Sequence, residues 1–147
     1  MQIVIEGHDL PGRGFDSAGV RMENVHVGVQ LGKHPVGLVR GDVTSARWEV
    51  DVRPVVDDDG GIDLRGPAVQ GKRGERFLYL TWGDVRPDGS FAMFRRAKLM
   101  VSDIDRRLLE AAVESDGQLV AVIGLTDARG GPVCARVRPP AIRWRVA

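Results

Sequence analysis

The stretch from Arg65 to Arg76 places Arg65, Lys72, Arg73 and Arg76 among Gly66, Gly71 and Gly74. Glycines let backbone amides approach an anion closely, and guanidinium groups offer forked donors to phosphate or carboxylate. The stretch reads as an anion-binding loop for phosphate or, more remotely, a nucleic-acid backbone. It lacks the Gly-Lys-Ser/Thr ending of a nucleotide-binding P-loop, and the plainer reading is a solvated loop. A second grouping is Arg95, Arg96 and Lys98, set inside an apolar strand pattern. Regular alternation puts Arg95 on the face of Met93, Ala97 and Leu99, and Arg96 and Lys98 on the other. A charge drawn inward needs a carboxylate or a ligand beside it. Asp127, Asp63 and Glu75 are the protein candidates for that role, and a structural ion pair is the plainer outcome.

The third grouping is His26 with Gln30, two strand steps apart and facing away from Val25, Val27 and Val29. On a curled sheet these two would line a polar pocket, where an imidazole serves as acid or base near neutral pH. Tyr79 and Trp82 are the apolar wall such a pocket would use. On an outer face His26 would simply meet water. Cys134 follows a turn beside Arg136 and Arg138, which would lower a thiol's pKa, although a small core or edge residue is the plainer reading. Asp57, Asp58 and Asp59 invite a calcium ion but lack the alternating oxygen ligands and closing Glu of a calcium loop, so they read as a solvated turn. His8 and His34 lie at no metal-ligand spacing with His26, and no serine has a Gly-x-Ser-x-Gly setting. Neither a metal nor a cofactor is implied.

These groups need elements to hold them. At 147 residues the chain fits one domain, 1–147, and buries roughly 68–70% of its extended surface without needing metal or disulfide. Its 21 basic and 20 acidic side chains leave a net charge of +1, which gives global nucleic-acid binding no support. Eighteen of the basic residues are arginine, a bias that suits bidentate anion binding and equally follows from G+C-rich coding. The single cysteine excludes an internal disulfide, and the N-terminal residues carry neither the basic nor the long apolar segment of a secretory signal. No apolar run approaches the roughly 20 residues of a membrane helix. A cytoplasmic location is expected.

Turn signals recur every 8–15 residues, which predicts strands. Strands are expected over Ile3–Glu6, Asn24–Leu31 and Ala46–Arg53, with a loop over 12–19 between the first two. The segment 76–82 is apolar on both faces and reads as a central strand, followed by a hairpin loop over 83–90. A longer strand, 91–101, carries an expected bulge at Arg95–Arg96. One helix is predicted over 103–116, capped by Ser102, ended by Gly117, with Ile104, Leu108, Ala111 and Ala112 as its apolar stripe. Strands at 118–126, 133–138 and 142–146 follow, with a turn at Asp127–Gly131. About eight or nine strands with one helix predict a mainly β, α+β fold. The first expectation is a curved antiparallel sheet or partly open barrel; a two-layer sandwich is the alternative.

Six segments together resemble an uncharacterised bacterial domain family of unknown function: HVGVQ from His26, RGP from Arg65, RFLYLTW from Arg76, FRRAKL from Phe94, TDARGGPVC from Thr126 and PPAIRW from Pro139. The resemblance spans nearly the whole chain and implies no activity. The residues themselves predict a domain binding a small anionic or polar ligand, with catalysis left open. Arg95, Arg96, His26, Gln30, Tyr79 and Trp82 form the expected pocket. The alternative is an interaction module that self-associates through an edge such as Ile142–Val146.

Overall fold

The computed structural model describes residues 1–8, 14–15, 21–22, 24–40, 45–124 and 142–147; the side chains at 14, 15, 21, 22, 94 and 95 lie outside that description. In chain order the elements begin with β1 (Gln2–His8), β2 (Gly14–Phe15), β3 (Arg21–Met22), β4 (Val25–Leu31) and β5 (His34–Arg40). Next come β6 (Ser45–Asp51), β7 (Arg53–Val56), β8 (Ile62–Arg65), β9 (Gln70–Lys72), β10 (Glu75–Val85) and β11 (Phe91–Met100). The chain continues with α1 (Arg106–Ser115), β12 (Gln118–Gly124) and β13 (Ile142–Val146). The fold is mainly β with one helix, as the turn spacing predicts.

Two sheets carry the core. The first runs β13-β12-β1-β6, and the second runs β11-β10-β4-β5 with β9 paired to the start of β10. Among the described residues no strand hydrogen-bonds to both sheets, so they do not close into a barrel, in keeping with the expected open, mainly antiparallel arrangement. The inner faces meet instead. Ile3, Ile5, Trp48, Leu119 and Ala121 of the first sheet share one apolar cluster with Val27, Val29, Leu78, Leu80 and Trp82 of the second. This is the layered alternative, in which each sheet hides its apolar face against another layer. The helix joins the same cluster through Leu109 and Ala112.

One pairing departs from the antiparallel expectation. β1 runs parallel to β12, in register from Gln2 opposite Gln118 to His8 opposite Gly124. The helix precedes β12, so the chain enters that strand from the end a parallel neighbour requires. Among the described residues β13 has only β12 beside it and stands at the sheet's edge. β5 was missed because Pro35 and Gly37 interrupt its pattern; it forms the edge beside β4, where a proline's missing N–H does no harm.

The helix starts later than its pattern suggests. Asp105, not Ser102, caps it: its carboxylate accepts from the Arg107 amide at 2.8 Å. Of the expected stripe, Ile104 and Ala112 are buried and Leu108 packs against the core, Leu109 joins them, and Ala111 faces water. The Ser102 hydroxyl instead accepts from the Arg76 amide at 3.2 Å. In β11 the bulge falls at Phe94: Met93 lies opposite Gly83, while Arg95 lies opposite Trp82. The extra residue turns Met93 to the face of Arg96, away from Ala97 and Leu99, where uninterrupted alternation had placed it. The hairpin loop after β10 shortens to 86–90, since β10 runs through Gly83 to Val85. Cys134, Asp127, the 127–131 turn and the 133–138 strand lie outside the described residues, as do most positions of the 12–19 loop.

The loop expected from Arg65 to Arg76 is a tight hairpin in its second half. Lys72 pairs with Glu75, leaving Arg73 and Gly74 as a two-residue turn, with φ of +53° and +81°. Two positive φ values match the turn type that prefers Asn-Gly. Arg73 therefore sits in a backbone region that costs a β-carbon-bearing residue about 1 kcal/mol. Replacing it by Asn, which tolerates that region better, is expected to raise stability by about 0.5 kcal/mol in urea unfolding. A neutral or negative change shows that the turn is not strained.

Candidate anion-binding site

β7 and β8 form a ribbon around the acidic turn. Arg53 stands directly opposite Arg65, Pro54 opposite Leu64, and Val55 opposite Asp63. Alternation along an antiparallel pair then puts Arg53, Asp63 and Arg65 on one face and Leu64 on the other. Leu64 is 2% exposed and belongs to the core, so the polar face must turn outward. The turn itself is held by Asp57, whose Oδ1 accepts from the amides of Asp59 at 3.1 Å and Gly61 at 2.7 Å. That carboxylate oxygen is organising a turn, as the solvated-turn reading requires. Among the described residues no three acidic, histidine or cysteine side chains cluster in a way that could hold a metal ion.

A third arginine arrives from the start of β10. Arg76 lies opposite Gly71, and a β-carbon at Gly71 would collide with the Arg76 guanidinium. Glycine there lets the guanidinium lie across the β9 backbone. Arg76 Nε donates to both carboxylate oxygens of Asp63, at 3.1 and 3.3 Å, while Arg65 Nε donates to Oδ2 at 2.9 Å. Partial burial pushes the Asp63 carboxyl up, but hydrogen bonds from Arg65 and Arg76, backed by their positive charges, outweigh it and hold the group below its ordinary value.

Two open grooves flank these guanidinium groups. One, of about 360 Å³, is lined by Arg53, Arg65, Gly66, Pro67, Val69 and Arg76. It has three cations and no carboxylate among its lining residues. The other, of about 410 Å³, shares Arg65 and Arg76 and adds Asp57, Asp63 and Ser102 over an apolar floor that includes Leu64 and Leu109. Gly66 is required here as well, because a β-carbon on it would meet the Asp51 carbonyl oxygen. Of the residues read as an anion loop, Arg65 and Arg76 reach the grooves; Lys72 and Arg73, at the hairpin turn, line neither. Arg53 enters the sequence reading only as the last residue of the strand expected over Ala46–Arg53.

The pocket expected in the second sheet is divided by that sheet. Trp82 is fully buried on the inner face, whereas Tyr79 is on the outer one, because three steps along a strand reverse the side. His26 and Gln30 do share the outer face. Gln30 Oε1 accepts from the buried Thr81 hydroxyl at 3.1 Å, and His26 Nδ1 lies 3.1 Å from the Asn24 carbonyl. Arg96 is exposed there, with its guanidinium carbon 5.0 Å from the Tyr79 ring centre and its Nε 2.9 Å from Met93 Sδ. Lys98 binds Glu75 at 3.1 Å and sits 4.3 Å from the Phe77 ring centre. The Arg95 side chain lies outside the described residues. Of the five described residues of the expected pocket, Trp82 therefore joins the buried interior, and His26, Gln30, Tyr79 and Arg96 lie on the outer face.

Asp63 joins the ribbon to β10, and its removal has a pH signature. Its folded pKa lies below the ordinary 3.8, so its contribution is complete above that value and fades as pH falls below it. Asp63→Asn is expected to cost about 1 kcal/mol at pH 7, a modest figure because the groups are partly solvated. The gap between wild type and variant should close below about pH 3.8 in urea unfolding series. A gap unchanged across that range would show that the ion pairs do not carry it.

No curated protein and no solved structure matches the chain. A family model matches it from end to end, over residues 1–147, in keeping with the six segments scattered along it. The chain belongs to that family, described as a family of unknown function (DUF5990).

Proposed function

We propose that this protein binds a small anionic ligand, carrying a phosphate or carboxylate, in the groove between Arg53, Arg65 and Arg76. The observation that carries the reading is the charge of that groove: three guanidinium groups line it without a carboxylate. Like charges directly opposite each other in an antiparallel pair destabilise it, and Arg53 and Arg65 are so placed. An anion between them would turn that cost into two forked, charge-assisted contacts. The neighbouring Asp63 compensates only Arg65 and Arg76. Arg53 makes no side-chain hydrogen bond or ion pair among the described residues, which leaves its donors available. Pro67 and Val69 give the groove an apolar side, as small-molecule sites usually have.

The test uses inorganic phosphate as the probe. Calorimetric titration at low salt should give measurable affinity that falls as ionic strength rises, because partly solvated charges are screened. Arg53→Gln removes a donor that holds nothing else in place. It should weaken phosphate binding by about tenfold, the effect of one lost contact to a charged group, while the melting temperature without phosphate holds or rises as the repulsion with Arg65 is relieved. Phosphate affinity equal to wild type in this variant would defeat the proposal.

A further inference from the structure

The two grooves share a wall. Arg65 and Arg76 line both, so a ligand whose anion rests on these guanidinium groups from one side extends naturally over them into the other. The second groove adds carboxylates to those two arginines. Asp57 and Asp63 line it, and Asp63 is already engaged by both arginines. Asp57 is exposed, and it uses Oδ1 for two backbone amides and makes no ion pair among the described residues. Its Oδ2 thus remains an available acceptor with a full negative charge nearby. Between the cationic and anionic ends lies the apolar floor of Val55, Leu64, Val101 and Leu109.

We infer that the paired grooves form one bipolar site, whose ligand joins a phosphate or carboxylate to a protonated amine through a short carbon linker. The inference rests on the anion-binding reading above and adds the second pole. The anion takes forked donors from Arg53 and Arg65. The amine donates to Asp57 Oδ2, and the linker covers the apolar floor. Opposite charges at the two ends also set orientation, since a reversed ligand would put like against like at both. A plain anion would fill only one groove and a plain amine only the other.

O-Phosphoethanolamine and inorganic phosphate are the probes, titrated against the full chain by calorimetry. Wild type should bind phosphoethanolamine about tenfold more tightly than phosphate, the gain of one charge-assisted contact. Asp57→Asn keeps Oδ1 as a turn acceptor and removes the charge. It should bring the two affinities within about twofold, while phosphate binding stays put. Amide shifts of Asp57 and Gly61 in the unmodified protein should respond to phosphoethanolamine and not to phosphate, a readout independent of any variant's folding. Phosphate binding that depends on Arg53, without the tenfold gain or with a gain indifferent to Asp57→Asn, overturns the bipolar site and leaves the anion site standing. Absence of binding by both probes overturns both.

Discussion

Among the described residues the two sheets have no hydrogen-bonded strand in common, and the apolar side chains buried between them hold them together and decide where polar groups go. Leu78, Leu80 and Trp82 on β10, and Ile3 and Ile5 on β1, are all fully buried. At about 25 cal/mol per Å² of apolar surface removed from water, each contributes roughly 1.5–3 kcal/mol. The same cluster takes in Leu64 from the β7–β8 ribbon and Leu109 from the helix. Both line the larger groove. Once Leu64 is committed inward, its strand neighbours Asp63 and Arg65 face out. The groove's polarity is therefore a consequence of the core, not an independent feature.

The outer surfaces show what compensated charge looks like in this molecule. On the first sheet Glu6 lies 3.6 Å from Arg47 and 3.1 Å from Arg145, and Arg47 also reaches Glu49 at 3.4 Å. They share the sheet face of Val4 and Val120, and their charged heads stay in reach of water. On the second sheet Arg96 and Lys98 lie over aromatic rings. In each case a cation has an acceptor or a ring at hand.

Much of the architecture was legible because alternation is a strong signal when both faces are consistent. The strand at 25–31, the doubly apolar one at 76–82 and the helix register all follow from it. The misses within elements come from single residues. Phe94 bulges and turns Met93 over, and Asp105 caps in place of Ser102, which shortens the helix without changing its phase. The pocket of Arg96, His26, Tyr79 and Trp82 failed on the same arithmetic, since residues 79 and 82 differ by an odd number of strand steps. Closure was not legible at all, because whether sheets join depends on long-range pairing that local pattern does not encode. The parallel match of β1 with β12 spans nearly the whole chain.

Arg53 shows a signal that was present and unread. The turn at Asp57–Gly61 is flanked by RPVV and IDLR, two short runs that pair when folded about Asp59. Folding them so sets position 53 against 65 and 55 against 63, bringing both arginines to one face from turn geometry alone. The glycines add the remaining constraint. Gly71 leaves room for the Arg76 guanidinium and Gly66 for the Asp51 carbonyl, so each stands where a larger residue would displace the site's walls. A fold indifferent to this groove would gain stability by giving Arg53 a carboxylate opposite it, as Glu6 serves Arg47 and Arg145. Having instead a second arginine at that position, the ribbon sets two like charges directly opposite each other, and Asp63 pairs with Arg65 alone of the two.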